Sequence, residues 1–302
     1  MIRFIRRMEA DAVRISSLDA ARIATVTNKV RSSSRSAGPI SQRPALFTAL
    51  LLFASTLSAV ASISLSAAET RRLGRRVWQN ECNGTLAGLT SWNAGENFAS
   101  LGIGHFIWYP KGLRGPFEES FPKFVVFAVG RGARLPENLV LKESCPWNSR
   151  AEFNQANETT RMKELRQFLA NTVNLQAEFL VERLQESIPK MLAEATPDRR
   201  ARVRQQFDRV AKSPGGYYAL VDYVNFKGEG VLATERYAGQ GWGLLQVLEG
   251  MSQESTGPEA ARNFAESAKR VLTTRVRNSP PDRNESRWLP GWINRINTYV
   301  QN

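Results

Sequence analysis

Residues 78–110 read WQNECNGTLAGLTSWNAGENFASLGIGHFIWYP, and the change of character inside that stretch decides the fold. Just upstream, ETRRLGRRVWQNE at 69–81 sets Leu73, Val77 and Trp78 at helical spacing, so a short helix runs into Glu81. Glycines at 84, 88, 95, 102 and 104 then punctuate a region rich in Thr, Ser and aromatic residues. Asn93-Ala94-Gly95 is turn chemistry, and 98–109 can form extended strands. A small hairpin or sheet after the first helix follows from this pattern.

Beyond residue 110 the apolar spacing is mostly helical. Met162, Leu165, Phe168 and Leu169 form one stripe, and Leu175, Phe179, Leu180, Leu184, Ile188 and Met191 another. Pro197-Asp198 opens a helix towards Lys212. The run from Tyr217 to Phe226 is almost continuously apolar, broken only by Asp222 and Asn225, which suits a helix buried inside a helical domain and stopped by Gly228-Glu229-Gly230. Further helices are expected over 258–277 and 292–300. The stretch from Arg114 to Ser120 reads as a turn and helix start, with Glu118 and Glu119 in its first turn. The expected architecture is α+β: a mostly helical domain over 69–302 with one small sheet after its first helix.

The chain has 302 residues and a formal net charge of +13. Residues 1–68 hold 9 Lys/Arg against 3 Asp/Glu, so the remainder, with 32 against 25, is basic in its own right. A basic surface suits an anionic polymer, whether nucleic acid, anionic lipid or cell wall. The N-terminus narrows the choice. Residues 45–65 (ALFTALLLFASTLSAVASISL) carry no charge, follow a basic stretch, and contain Ala59-Val60-Ala61 and Ser66-Ala67-Ala68 just beyond as cleavage patterns. That is the layout of a secretory signal peptide, with an uncleaved membrane anchor as the alternative. A periplasmic or secreted location is expected. Cys82 and Cys145 both lie in the exported part, where a disulfide between them is expected and two free thiols are the alternative.

The helix ending in Glu81, the Gly-rich hairpin and Ser100-Leu101-Gly102-Ile103-Gly104-His105 together resemble the phage-type lysozymes of the lysozyme-like superfamily. The specific likeness covers about 30 residues. In that family a catalytic Glu closes the first helix, a hairpin bears a second acid and a hydroxyl residue, and a G-[IY]-G-H turn follows. Glu81 matches the catalytic Glu, Ser100 the hydroxyl residue, and Gly102, Gly104 and His105 the turn. The resemblance implies a lysozyme-like fold and cleavage of the β-1,4 bond between N-acetylmuramic acid and N-acetylglucosamine, with peptidoglycan strands as partner, as a monomer. The second acid departs from the pattern. Ala94 stands at its position, so Glu96 is the best replacement and Asn93 a weaker one. An inverting hydrolase needs that second carboxylate to activate water, whereas lytic transglycosylases work with one Glu and the substrate's own hydroxyl.

The chemistry can also be argued from position, with an exposed Glu on a solvated face as the alternative. Glycoside hydrolysis needs a carboxylic acid that keeps its proton near neutral pH. A Glu closing a helix meets the negative end of the macrodipole, and Trp78 and Trp92 could desolvate it. His105 is the chain's only histidine, which disfavours the His-rich zinc sites of cell-wall amidases and peptidases, and no metal or organic cofactor is expected. For glycan binding the candidates are Asn93, Trp92, His105, Tyr223 and Asn225. Zinc-finger spacing, aromatic RNA-binding motifs and phosphate loops are absent, and no nucleic-acid partner is expected. Two rivals remain: a lysozyme-like module that binds glycan without cutting it, and a peptidase using Cys82 and His105, which is disfavoured because Cys82 follows a helix C-terminus.

Overall fold

The computed structural model describes residues 63–115, 117–139, 143–252 and 255–301. Most of the apolar run and the Ala59-Val60-Ala61 pattern lie outside these. Helix makes up 64% of the structure, with a small antiparallel sheet and a short second ribbon, so the mostly helical α+β expectation holds. Among the described residues no helix is long and apolar enough to cross a membrane.

The first helix, α1 (Ala67–Cys82), starts where Ser66 caps it: the Ser66 hydroxyl accepts from the Glu69 amide, and the Glu69 carboxylate accepts from the Ser66 amide at 2.8 Å. Ile63 and Leu65 already pack on the core, which extends the packed unit ahead of the boundary expected at residue 69. Thr70, Leu73, Gly74 and Val77 form the buried stripe of α1, laid along a long central helix. Asn83 ends α1 in the left-handed conformation.

The sheet has three very short strands in the order β1 (Thr90–Ser91), β2 (Ala99–Leu101), β3 (Phe106–Trp108), with Ser91 opposite Ser100 and Leu101 opposite Phe106. The turn at 102–105 joins β2 to β3, and both Gly102 (φ 70°) and His105 (φ 48°) are left-handed there. A side chain at 102 would also strike the Gln176 amide oxygen, so glycine is required on two counts.

Helices α2 (Phe121–Gly130), α3 (Arg150–Gln155), α4 (Thr160–Asn171), α5 (Val173–Glu194), α6 (Pro197–Ala211) and α7 (Gly216–Lys227) follow, then α8 (Leu244–Gly250), α9 (Pro258–Asn278) and α10 (Leu289–Asn297). The two apolar stripes expected near 162–191 become α4 and α5, and the apolar run becomes α7, closed by Gly228 at φ 83°. The expected start near 114–120 is corrected: α2 begins at Phe121, and Glu118 and Glu119 precede it. Glu119 instead accepts from the Tyr109 amide at 2.8 Å, fixing the chain after β3. A second ribbon, β4 (Arg236–Tyr237) with β5 (Gln240–Gly241), was not legible from alternation; Ala238 and Gly239 both take positive φ, as a tight two-residue hairpin turn demands.

Sheet, α2 and α5 meet at Phe106, whose fully buried ring stacks on Phe124 at 5.0 Å and meets Phe179 edge-on at 5.4 Å. Above it, α5 grips the 102–105 turn through one buried amide. Gln176 Oε1 accepts from the Ile103 amide at 2.8 Å, while its Nε2 donates to Leu169 O at 2.6 Å and to Thr172 Oγ1 at 3.2 Å. A Gln176→Leu variant keeps the volume and strands those polar groups, so it should lose roughly 1–3 kcal/mol in urea unfolding; unchanged stability would show that the amide carries none of the turn.

Candidate active site

Glu81 occupies the last turn of α1 with its side chain only 10% exposed. The turn at 102–105 lies directly beside it. Glu81 Oε2 is 4.0 Å from His105 Nε2, too long for a hydrogen bond. Burial lowers the pKa of the His105 ring, whose side chain keeps 36% exposure, so the imidazole is neutral at pH 7 and makes no ion pair. The Gly102 carbonyl also accepts from the Cys82 thiol at 3.8 Å, which ties the turn to the residue after Glu81.

The other Glu81 oxygen meets Arg295 from α10, and Arg295 is the centre of a charged cluster. Its Nε donates to Asp222 Oδ2 and a terminal nitrogen to Asp222 Oδ1, both at 2.8 Å, a bidentate pair with α7. Tyr299, just beyond α10, donates its hydroxyl to Asp222 Oδ2 at 2.6 Å. Asp222 is fully buried, and burial pushes its carboxyl up to about 7, against the pull of the Tyr299 hydrogen bond. One guanidinium thus faces two carboxyls. Of the two, the Asp222 carboxyl is the one that burial keeps protonated up to about pH 7.

The C-terminus is further pinned to α1. Arg76 donates to Thr298 O and, at 2.7 Å, to Gln301 O. Asn80 donates to the Tyr218 hydroxyl, which bonds the Thr298 hydroxyl at 2.8 Å.

The hairpin brings Glu96, Asn93 and Ser100 together. The half-buried Glu96 carboxylate accepts from Asn93 Nδ2 at 3.1 Å and bonds the Ser100 side chain. Burial raises the Glu96 pKa, and the bonds from Asn93 and Ser100 oppose that rise.

Two of the expected glycan-binding residues are not in this site. Tyr223 is fully buried, gives its hydroxyl to Trp242 O at 2.9 Å and packs edge-on against Phe264, so it belongs to the core. Trp92 is buried as well, with its indole nitrogen donating to Glu96 O at 2.7 Å and its ring against Phe153; it braces the hairpin loop. Asn225 is half-buried three residues after Asp222, on the same side of α7.

The expected disulfide is corrected: Cys82 and Cys145 are both free and buried. Burial pushes each thiol up to about 12, which leaves neither as a thiolate at neutral pH and removes the basis for a Cys82 nucleophile. Among the described residues no cluster of three or more His, Cys, Asp or Glu side chains is arranged to hold a metal ion.

Arg295, Asp222, Tyr299 and Gln176 escape a reading of the sequence. One signal pointed to Asp222: a charge in the middle of an almost wholly apolar helix must find a partner. No protein-family model matches the chain, and no curated protein or solved structure matches it either.

The raised Asp222 pKa has a sign that can be checked. The folded state holds its proton up to about pH 7, whereas the unfolded chain releases it near 4. Stability should therefore fall as pH rises through that window, by up to ~1.4 kcal/mol per pH unit. Asp222→Asn should flatten this slope in thermal or urea unfolding across pH 4–7. An identical slope in the variant would contradict the assignment.

Proposed function

We propose that this chain is an exported, lysozyme-like glycosidase that cleaves the β-1,4 bond between N-acetylmuramic acid and N-acetylglucosamine in peptidoglycan. The observation that carries the reading is Glu81: a carboxyl closing the first helix, nine-tenths out of water, against the glycine turn that the resemblance to phage-type lysozymes would put beside a catalytic acid. Glu96 and Ser100 support it from the hairpin, where a second acid and a hydroxyl residue would stand.

In this reading Glu81 carries a proton when the glycan is bound. Glu81 gives it to the glycosidic oxygen as the bond to the anomeric carbon breaks, and the leaving sugar departs as an alcohol. Glu96 faces the oxocarbenium-like centre as base or electrostatic partner. Water attacking there, with its proton passing to Glu96, makes the enzyme a hydrolase; attack by the substrate's own hydroxyl makes it a transglycosylase. Ser100 orients Glu96 and, with Asn93, the water or sugar. Asn225 stands ready to hold an N-acetyl group.

A second reading, a module that binds glycan without cutting it, is favoured by the Arg295 contact: a guanidinium that stays on Glu81 holds the proton off it.

Digestion of isolated sacculi, read by mass spectrometry, tests both. Soluble muropeptides should appear, with reducing ends for a hydrolase and anhydro-muramic ends for a transglycosylase. Glu81→Gln should cut at least ~100-fold more slowly while still binding sacculi. Full activity in that variant would reject the mechanism, and wall binding without products from the unaltered chain would favour the binding module.

A further inference from the structure

A cleft of about 660 Å³ opens between α6, the β4–β5 ribbon, α8 and α9, and no residue of α1, the 90–108 hairpin or α10 lines it. Its volume is that of an ordinary ligand pocket, but its lining is not apolar. Arg199 and Arg202 enter from α6, Arg236 from β4 and Arg270 from α9. Among the described residues one carboxylate, Glu249, faces these four arginines in the lining. Arg199 and Arg202 are three residues apart and share a face of their helix. The described lining holds no aromatic side chain, and its apolar side chains are two valines.

Arg202 and Arg270 donate to neighbouring carbonyls where α8 ends, Arg202 to Met251 O and Arg270 to Gly250 O at 2.9 Å. Two guanidiniums from different walls are thereby fixed at adjacent points of the backbone. Neither pairs with a carboxylate among the described residues, and both are exposed. Capping the negative end of α8 occupies one nitrogen of each fork and leaves the rest of a rigid, permanently charged donor set open to a ligand. Arg199 lies 3.6 Å from Glu249, beyond hydrogen-bond length, and keeps 60% exposure. Arg236 pairs with Glu194, which stands outside the lining. With Glu249 and Glu194 both set against the four arginines, two positive charges remain (4 − 2 = 2). Like charges gathered in one concave surface repel each other and focus their field outward, and a polyanion relieves that repulsion.

We propose that this cleft is a second binding site, separate from Glu81, for successive phosphodiesters of a linear polyol-phosphate chain. A tetrahedral phosphate offers oxygens in several directions and is shared by guanidiniums from two walls, whereas a planar carboxylate is satisfied by a single fork. The cavity is several times the size of one phosphate ion, which suits a chain more than a free ion. Without aromatic rings it has nothing on which bases would stack, and without large apolar side chains it has nothing to enter a bilayer. A phosphate chain without bases is therefore favoured over nucleic acid or a membrane surface. The site goes beyond the glycosidase reading and stands whether or not Glu81 cuts.

The test is calorimetric titration of the full chain with a synthetic hexameric oligo(glycerol phosphate). The oligomer should bind. Arg202→Gln combined with Arg270→Gln keeps a donor for each α8 carbonyl and should weaken binding at least ~10-fold, the scale of one charge-assisted hydrogen bond. Arg199→Gln removes an exposed side chain that makes no hydrogen bond, should weaken binding about 3-fold, and covers a double variant that fails to fold. Arg71→Gln combined with Arg75→Gln takes the same charge from the exposed face of α1 and should leave the affinity within about 2-fold. Polyglutamate of equal charge, a thymidine hexanucleotide, and vesicles of phosphatidylglycerol in phosphatidylcholine should each bind more weakly than the phosphate chain. No binding of the oligomer, unchanged affinity in the cleft variants, or an equal loss in the α1 variant overturns the proposal. Tighter binding of the polyglutamate, the oligonucleotide or the vesicles overturns it too, and gives the cleft to that other class. None of these outcomes touches the role of Glu81.

Discussion

Arg295 sits between two carboxyls, and much of the molecule is arranged around that one guanidinium. It belongs to α10, near the end of the chain, while Glu81 closes α1 near the start of the described residues and Asp222 lies within α7. A charge this far from water needs partners on several sides, and one cation cannot fully neutralise two acids. The consequence is both structural and chemical. Structurally, the pair closes the chain on itself, with Arg76, Asn80 and Tyr299 adding bonds around it. Breaking a buried pair of this kind by removing one partner ordinarily costs about 3–5 kcal/mol. Chemically, burial keeps the Asp222 carboxyl protonated up to about pH 7, while the Arg295 guanidinium also meets Glu81.

The second constraint is the turn at 102–105. Its backbone is left-handed at two positions, and a side chain at 102 would strike the Gln176 amide. Gln176 holds it from above and the Cys82 thiol from the side, so the hairpin cannot shift relative to the end of α1 without losing both contacts. Glu96 and Ser100 are thereby carried on a platform whose position is set by the helical domain. The sheet contributes few backbone bonds of its own; its rigidity comes from Phe106 packed between Phe124 and Phe179.

What could be read in the sequence was local. Leu73, Val77 and Trp78 put Glu81 at a helix end because helical spacing repeats over a few residues, and the helix closes one residue later. Glu96, Asn93 and Ser100 meet because eight residues of a tight hairpin leave them little choice. The misreadings share a cause. An almost uniformly apolar helix has no marked face, so nothing in its pattern sends Tyr223 into the core rather than towards a cleft. Trp92 offered an aromatic surface on paper, but its indole nitrogen was needed to hold the loop. Cysteine counts carry no distances, and Cys145 lies instead beside Pro110 across a backbone bridge. Asp222 and Arg295 are separated by 73 residues, and only packing brings them together.

The central claim is that the Glu81 carboxyl delivers a proton to a glycosidic oxygen. A crystal structure of the Glu81→Gln chain with a tetrasaccharide of alternating N-acetylglucosamine and N-acetylmuramic acid tests it most directly. The account requires one glycosidic oxygen within about 3.2 Å of the side chain at position 81, with Glu96 facing the anomeric carbon. A glycan bound elsewhere on the surface, with Arg295 still closing off position 81, would contradict it.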